Sequence, residues 1–572
     1  MRPVPRRQYL IVGIIFVVVA GAFSLMALGD FRLNDSQLYM AAASLKYHDG
    51  SLFPCDGLYG ASGLWRFHTP VVQRGMDLFL APGGYADLYF PFRCLVGIAT
   101  FLYLWSMFAL LLRQTSSWQA SAFTAVLSSA VLFTVGRSYW GVGSLASITP
   151  WTLAIIFTPL LTLAYLLRAD AWRRLLLVFF LIGLLGNVHL VVAMDLALVL
   201  AIVYLGRNRF TRAAWARAAA FCGLAVAGAF PSLIYYFVLR YSAGSGGQTG
   251  ALTVYEAFRM GDMGVLYPDL LKSLFDWLKS AAVVLIVPGL VLLSRTHRFH
   301  LRDSQTWVWF TAGALFVGFV LHGVSQLFGL AFHTLPPTID LVQAATLAMI
   351  PLFVLFAHAT VAVFRMFRPY RILLGIAFAV VLAARLLPSD NFRPARYALL
   401  DTLTQPVAES DRPQAVLRHS ESAREFAELR AIGQFAQWQT DKDAVFVTDL
   451  PEFRVLGRRS VVACPHDVRY YYYLAPGQLK DWLRLVYWQH ALLRPPSGSA
   501  DAAAMAGFIA RQPSCRPATQ WYVIYEAETA PDAGAGLEMV APGAWGRYYK
   551  VYRASRPPET RPATIPAAMT RP

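Results

Sequence analysis

Apolar runs long enough to cross a bilayer, or nearly so, recur from residue 9 to residue 387, and few folds accommodate that. Backbone groups in hydrocarbon must be paired internally, which leaves helices or closed barrels. The first run, Tyr9 to Leu28, has no charged residue and about the twenty positions that a spanning helix needs. Ten more follow: Leu95–Leu112, Trp118–Val135, Leu145–Leu167, Leu175–Leu185, His189–Leu205, Ala218–Leu239, Ala281–Leu293, Thr306–Leu321, Leu341–Phe364 and Ile372–Leu387. The break Gly186-Asn187-Val188 leaves open two short helices or one interrupted one. The expected count is about eleven membrane segments. Composition agrees: 57% of residues are hydrophobic and 15% charged, where a soluble chain carries about a quarter charged.

The loops alternate in charge. One set is short and rich in arginine. It holds Arg2, Arg6 and Arg7, then Arg113, then Arg168, Arg173 and Arg174, then Arg207, Arg209, Arg212 and Arg217, then Arg295, Arg298 and Arg302, and last Arg365, Arg368 and Arg371. The other set, 31–90, 136–144, 241–279 and 323–340, is mostly longer and poor in positive charge. Positive loops stay cytoplasmic, so the N-terminus is expected in the cytoplasm, with the first long loop and everything after Leu387 outside. The net charge of +17 belongs to these loops and marks membrane orientation; it implies the lipid bilayer as partner and no nucleic acid. Tyr9–Leu28 is too long for a secretory h-region and meets no clear cleavage site, so it is expected to remain as a helix.

Three regions result. Residues 1–387 form a membrane domain with a large first outside loop, 29–90; residues 388–554 form an extracytoplasmic domain; residues 555–572, rich in Pro and Thr, are expected to be disordered. In the second region, helical periodicity over Ser422–Trp438, Leu479–His490 and Ala502–Arg511 alternates with strand-like Ala444–Thr448, Ser460–Ala463, Trp521–Tyr525 and Arg547–Tyr552. The expected fold class is an α-helical polytopic membrane protein with a small C-terminal α/β domain. The five cysteines show no metal spacing; Cys464 and Cys515 could pair if their region faces an oxidising compartment.

No P-loop, dinucleotide fingerprint, zinc-protease or nucleophile-elbow motif occurs. What remains is ionisable residues near membrane depth. Asp35 follows the first run by seven residues, and Tyr39, four further on, would share its helix face. A carboxylate there suits a general base; equally, Asp30 and Asp35 could end one helix and cap the next. Asp195, inside an apolar segment, would face a cavity or a hydrogen-bonding partner. His189 could contact an anion or bond a backbone carbonyl at the helix break. Arg259 could clamp a phosphate or sit at headgroup level, beside an amphipathic stretch Tyr267–Lys279 expected to lie in the interface. Arg454, Arg458 and Arg459 could hold an anion or pin the outer domain to the membrane, and Tyr470–Tyr473 would suit an interface belt or a carbohydrate platform.

The run Asn34-Asp35-Ser36-Gln37-Leu38-Tyr39, just past the first helix, resembles the acidic first-loop site of the GT-C class of integral-membrane glycosyltransferases. Gly186-Asn187-Val188-His189, Phe258-Arg259-Met260 and the stretch from Trp438 through Asp443–Thr448 to Arg458–Val462 resemble a group of bacterial multi-pass membrane proteins of this class. The resemblance implies transfer of a sugar from a polyprenyl-phosphate-linked donor to an extracytoplasmic acceptor, in a bacterial inner membrane. It makes Asp35 the catalytic base and Arg259, His189, Tyr39 and His68 the candidate substrate contacts. No cofactor is indicated, and a divalent metal requirement stays open. The rival class is a non-enzymatic transporter or glycan-assembly factor binding the lipid-linked substrate, favoured by Asp195.

Overall fold

A computed structural model describes residues 5–60, 63–67, 70–80, 88–130, 133–135, 138–242, 270–293, 303–332, 341–366, 393–496, 498–512, 519–532, 536–541 and 543–555, with isolated positions between. The tail 556–572 and most of Ile372–Leu387 lie outside the described residues. The chain is mostly helical. Among the described residues, seven helical stretches are long and apolar enough to cross a membrane: Arg6–Gly29, Tyr89–Thr115, Pro150–Arg168, Leu190–Arg207, Arg212–Tyr241, Ser304–Gly329 and Leu341–Arg365.

Several apolar runs take a different form from the one expected. Among the described residues of Trp118–Val135, Trp118–Ala130 is helical and Phe133–Val135 is a strand, β1, that pairs antiparallel with β2 (Ser138–Trp140). Their aromatic and β-branched residues suit a pleated ribbon, and the strands satisfy each other's backbone. Leu175–Leu185 belongs to the fourteen-residue helix Trp172–Leu185, about 21 Å long and too short for a hydrocarbon core of about 30 Å. Tyr267–Lys279 is no separate interfacial helix: its described part continues into Ala281–Leu293 as one helix, Leu270–Leu293. The indole of Trp277 there is buried and donates to the Ala345 carbonyl at 3.1 Å, so that half is packed inside the bundle while Leu271 and Phe275 stay exposed.

The helix break between Leu185 and Leu190 does hold. The amide of Asn187 donates to the carbonyls of Leu184 and Gly228 and its oxygen accepts from Ser232, at 3.1, 3.0 and 2.8 Å. That ties the break to the long helix Arg212–Ser242. The two helices approach so closely that a Cβ built on Gly183 would meet the Ala225 carbonyl oxygen at 2.1 Å.

The C-terminal domain carries a five-stranded mixed sheet in the order β4-β3-β5-β7-β6, from β3 (Val445–Val447), β4 (Ser460–Val461), β5 (Trp521–Glu526), β6 (Leu537–Met539) and β7 (Tyr549–Ala554). β3 runs parallel to both β4 and β5, and β7 is antiparallel to β5 and β6. Alternation sorts the side chains: Phe446, Tyr522, Ile524 and Val551 pack on the helix Gln414–Gln439, while Val445, Val447, Val523 and Tyr525 face the core that runs on into the rest of the molecule. The expected helices and strands of this domain all occur; β6, the helix Arg393–Thr404 and the short helices Glu452–Gly457 and Val468–Leu474 were not expected.

The first long loop is part of this domain. Gly57 lies against the Val462 carbonyl, and the backbone N–H of Cys55 donates to Ser460 Oγ at 3.1 Å, which covers the edge of β4. The loop and the C-terminal domain therefore lie on one side of any membrane that the helices cross. Cys464 is a free, buried thiol, so the pairing with Cys515 that the sequence left open is not made; Cys94 and Cys222 are also free, and Cys55 is disulfide-bonded. Cys515 lies outside the described residues. Peptide mapping of the unreduced protein is expected to recover the Cys55 peptide in a disulfide-linked pair. A free Cys55 in protein from intact cells would place the loop in a reducing compartment.

Candidate functional site

Asp35 opens the helix Asp35–His48 without capping it. Asn34 does that: its side chain accepts from the Gln37 N–H, and Gln37 Oε1 accepts from the Asn34 N–H, both at 2.9 Å. The Asp35 carboxylate is thereby left free of capping duty at the positive end of a helix dipole, with 39% of its side chain exposed. It points at the C-terminal domain, where His466 Nδ1 lies 3.0 Å from its Oδ2, off the line of an ideal hydrogen bond. His466 sits just past β4, on the turn Pro465–Asp467. One helical turn on, Tyr39 is buried and donates to Asp467 Oδ1 at 2.6 Å. Asp35 and Tyr39 thus do share a face, and it meets the adjacent pair His466 and Asp467.

Behind this face lies a buried charge network. Arg454 donates from Nε and Nη2 to Asp56 of the first loop at 2.8 and 3.1 Å, and from Nη1 and Nη2 to Asp467 at 2.6 and 2.8 Å. Burial and Asp467 push the Tyr39 phenol and the Cys464 thiol well up, so both are neutral donors. Arg454 and Arg459 therefore do neither of the things expected of them. Arg454 locks loop to domain, and Arg459 donates to the Gln437 and Thr440 carbonyls at the end of the helix Gln414–Gln439. The tyrosines form no open platform: Tyr470 packs on Tyr39 and Phe67, and Tyr471 stacks on Trp482.

In front of the face is a partly open group of ionisable residues. Arg32 donates to Glu425 at 2.7 Å, and Glu425 also accepts from the Tyr549 hydroxyl at 2.7 Å. Glu452 starts the helix Glu452–Gly457 and feels the charges of Arg32, Asp35 and His466; burial, with Asp35 adding to it, raises its carboxyl above the usual range. For His466, burial lowers the imidazole but Asp35, Asp467 and Glu452 outweigh it and hold it above the ordinary value. These residues gather at the carboxyl ends of the parallel strands β3 and β4, the place where open α/β sheets take ligands. Among the described residues, no group of three or more His, Cys, Asp or Glu could hold a metal ion.

The other residues singled out from sequence lie elsewhere. His189 caps the helix Leu190–Arg207, its Nδ1 accepting from the Val192 N–H at 3.3 Å, and its ring meets Trp151 edge-on. Arg259 is exposed and its charge bears on Tyr487 of the helix Leu479–Leu493, whereas Asp35 faces His466 on the turn Pro465–Asp467. His68 lies outside the described residues. Sequence reading missed His466, Glu452, Arg32 and Glu425. One signal for His466 was present: Pro465-His466-Asp467 comes a few residues after a parallel strand, where a polar residue can face the ligand edge. No family model matches the chain, and a comparison with curated proteins finds no match.

Proposed function

We propose that the protein is a membrane glycosyltransferase of GT-C-like architecture, transferring a sugar from a polyprenyl-phosphate-linked donor to an extracytoplasmic acceptor. The observation that carries this reading is the half-exposed Asp35 carboxylate, set between the end of the first membrane helix and the carboxyl edge of the C-terminal sheet. A lipid-linked phosphate lies at headgroup depth with its sugar projecting outward, toward such a group. In the reaction, the acceptor hydroxyl loses its proton to the site, its oxygen bonds the anomeric carbon, and the carbon–oxygen bond to phosphate breaks with its electron pair leaving on the phosphate. Arg32 is the cation nearest Asp35 in sequence on this face and suits the leaving charge. The test is transfer by the protein in nanodiscs from a radiolabelled polyprenyl-phosphate hexose. Asp35→Asn is expected to lower the rate by about 10²- to 10⁴-fold; equal rates would sink the reading.

A second reading, an ion-coupled transporter, has one observation of its own. Asp195 is wholly buried in the helix Leu190–Arg207, and the irregular π segment Phe316–Leu321 packs against the 3-10 segment Leu341–Ala348 through Gly318 and Ala345. Solute uptake by liposomes that fails with Asp195→Asn and survives Asp35→Asn would favour it.

A further inference from the structure

We propose that His466 is the proton acceptor of this site and that Asp35 is the residue that orients it. The inference deepens the glycosyl-transfer reading and rests on it. Nδ1 of His466 faces the Asp35 carboxylate at 3.0 Å and is itself closed off from solvent, while the imidazole as a whole keeps 25% of its exposure. The open part of the ring is therefore the side of Nε2, turned away from Asp35. A carboxylate beside Nδ1 fixes the proton there and leaves the lone pair on Nε2, the division of labour that a histidine–carboxylate pair performs in acyl transfer. The off-line contact is what a pair shows before substrate closes the site.

The surroundings suit an imidazolium that forms during the reaction. Asp35 faces His466 from the first loop's helix, Glu452 from the helix Glu452–Gly457, and Asp467 from its own turn, with Arg454 held behind Asp467 and Arg32 acting on Glu452. The carboxylates outnumber the cations, so charge on the ring is favoured and Nε2 is a stronger base than an ordinary histidine. The acceptor hydroxyl proton goes to Nε2, the acceptor oxygen bonds the anomeric carbon, and the phosphate leaves with the electron pair. Asp35 is then a positioning residue that holds Nδ1–H and faces the positive ring.

The sign of the pH dependence follows. His466 is raised in the folded protein, so its charge stabilises the contact between loop and domain below its ordinary value, and that contribution is lost as pH rises through the raised one. Proton acceptance needs the neutral ring, so transfer rises over the same interval.

The test is nitrogen NMR of the full chain in nanodiscs with all eleven histidines labelled, His466 being assigned by its loss in His466→Gln. A midpoint above that of an ordinary histidine is expected, with the Nδ1–H tautomer at high pH. Asp35→Asn should shift the midpoint down and mix the tautomers, Glu452→Gln should shift it down with the tautomer kept, and Asp35→Glu should keep both. A His466 that titrates in the ordinary range and ignores Asp35→Asn, or that carries its proton on Nε2, overturns the proposal. If Asp35→Asn fails to fold, the tautomer in the wild type and in Glu452→Gln decides. Coupled titration with no sugar transfer leaves the pair standing and removes the transferase reading. Transfer whose pH profile ignores His466→Gln removes the pair and leaves the transferase.

Discussion

Asp56→Ala is expected to cost about 3–5 kcal/mol and to release the first loop from the C-terminal domain. Five donors converge on that one carboxylate. Oδ1 accepts from the backbone N–H groups of Leu58 and Tyr59 at 2.9 and 3.0 Å and from Arg454 Nη2; Oδ2 accepts from Arg454 Nε and from the Val461 N–H at 2.9 Å. Asp56 thus folds its own turn, holds strand β4 and pairs a deeply buried guanidinium, whose side chain is 2% exposed. Truncation leaves Arg454 with Asp467 alone and strips partners from three amides, and a buried cation short of a partner is what makes broken pairs costly. Thermal unfolding of the purified protein should show an early transition, and limited proteolysis should cut near residue 56. Asp56→Asn keeps the shape and loses the charge, so it should fall between wild type and alanine. An unchanged melting profile in Asp56→Ala would mean that loop and domain are held together some other way.

The second large effect is expected in the bundle. Gly183→Leu should drive the helices Trp172–Leu185 and Arg212–Ser242 apart, and Gly228→Leu should do the same from the facing side. A Cβ on Gly183 meets the Ala225 carbonyl oxygen at 2.1 Å, and one on Gly228 meets the Phe180 carbonyl oxygen at 2.4 Å. Both obstacles are backbone, which cannot rotate away as a side chain would. In lipid there is little hydrophobic drive to hold two helices together, so close approach at small residues supplies the attraction. Overpacking costs about 1–3 kcal/mol where side chains can yield, and here the upper end is expected. Asn187, which bridges to Gly228 and Ser232 across the same crossing, would lose its partners as well. A cysteine pair engineered across the crossing should crosslink readily in wild type and poorly in Gly183→Leu. Equal crosslinking would show that the helices can separate at no cost.

Much of the fold could be read from the residues because local signals there are strong. The helices of the C-terminal domain carry clear periodicity, and strands such as Trp521–Glu526 are runs of aromatic and β-branched residues between turn signals. The membrane runs were legible as apolar, but apolarity does not distinguish a spanning helix from the short helix Trp118–Ala130 and its hairpin. The site was half legible. Asp35 stood out because it follows a membrane run at a helix start. His466 and Glu452 come from segments more than 400 residues away, and no pattern within one short stretch reports a contact made across such a separation. The arginines misled for the same reason: Arg454 looks like a surface cation until the partner 398 residues earlier is known.

That separation has a bearing on how the protein is made. The first loop contains Asp35 and Asp56, yet Arg454 and His466 leave the ribosome only after some four hundred further residues. At roughly 5–20 residues per second, the loop waits about 20–80 s before its partners exist. For that interval its carboxylates stand without the partners that the folded chain gives them. A translation product that stops before residue 454 therefore lacks both the Arg454–Asp56 pair and the His466–Asp35 contact, whatever number of helices it contains. Completion of the chain is itself the event that joins the loop to its domain.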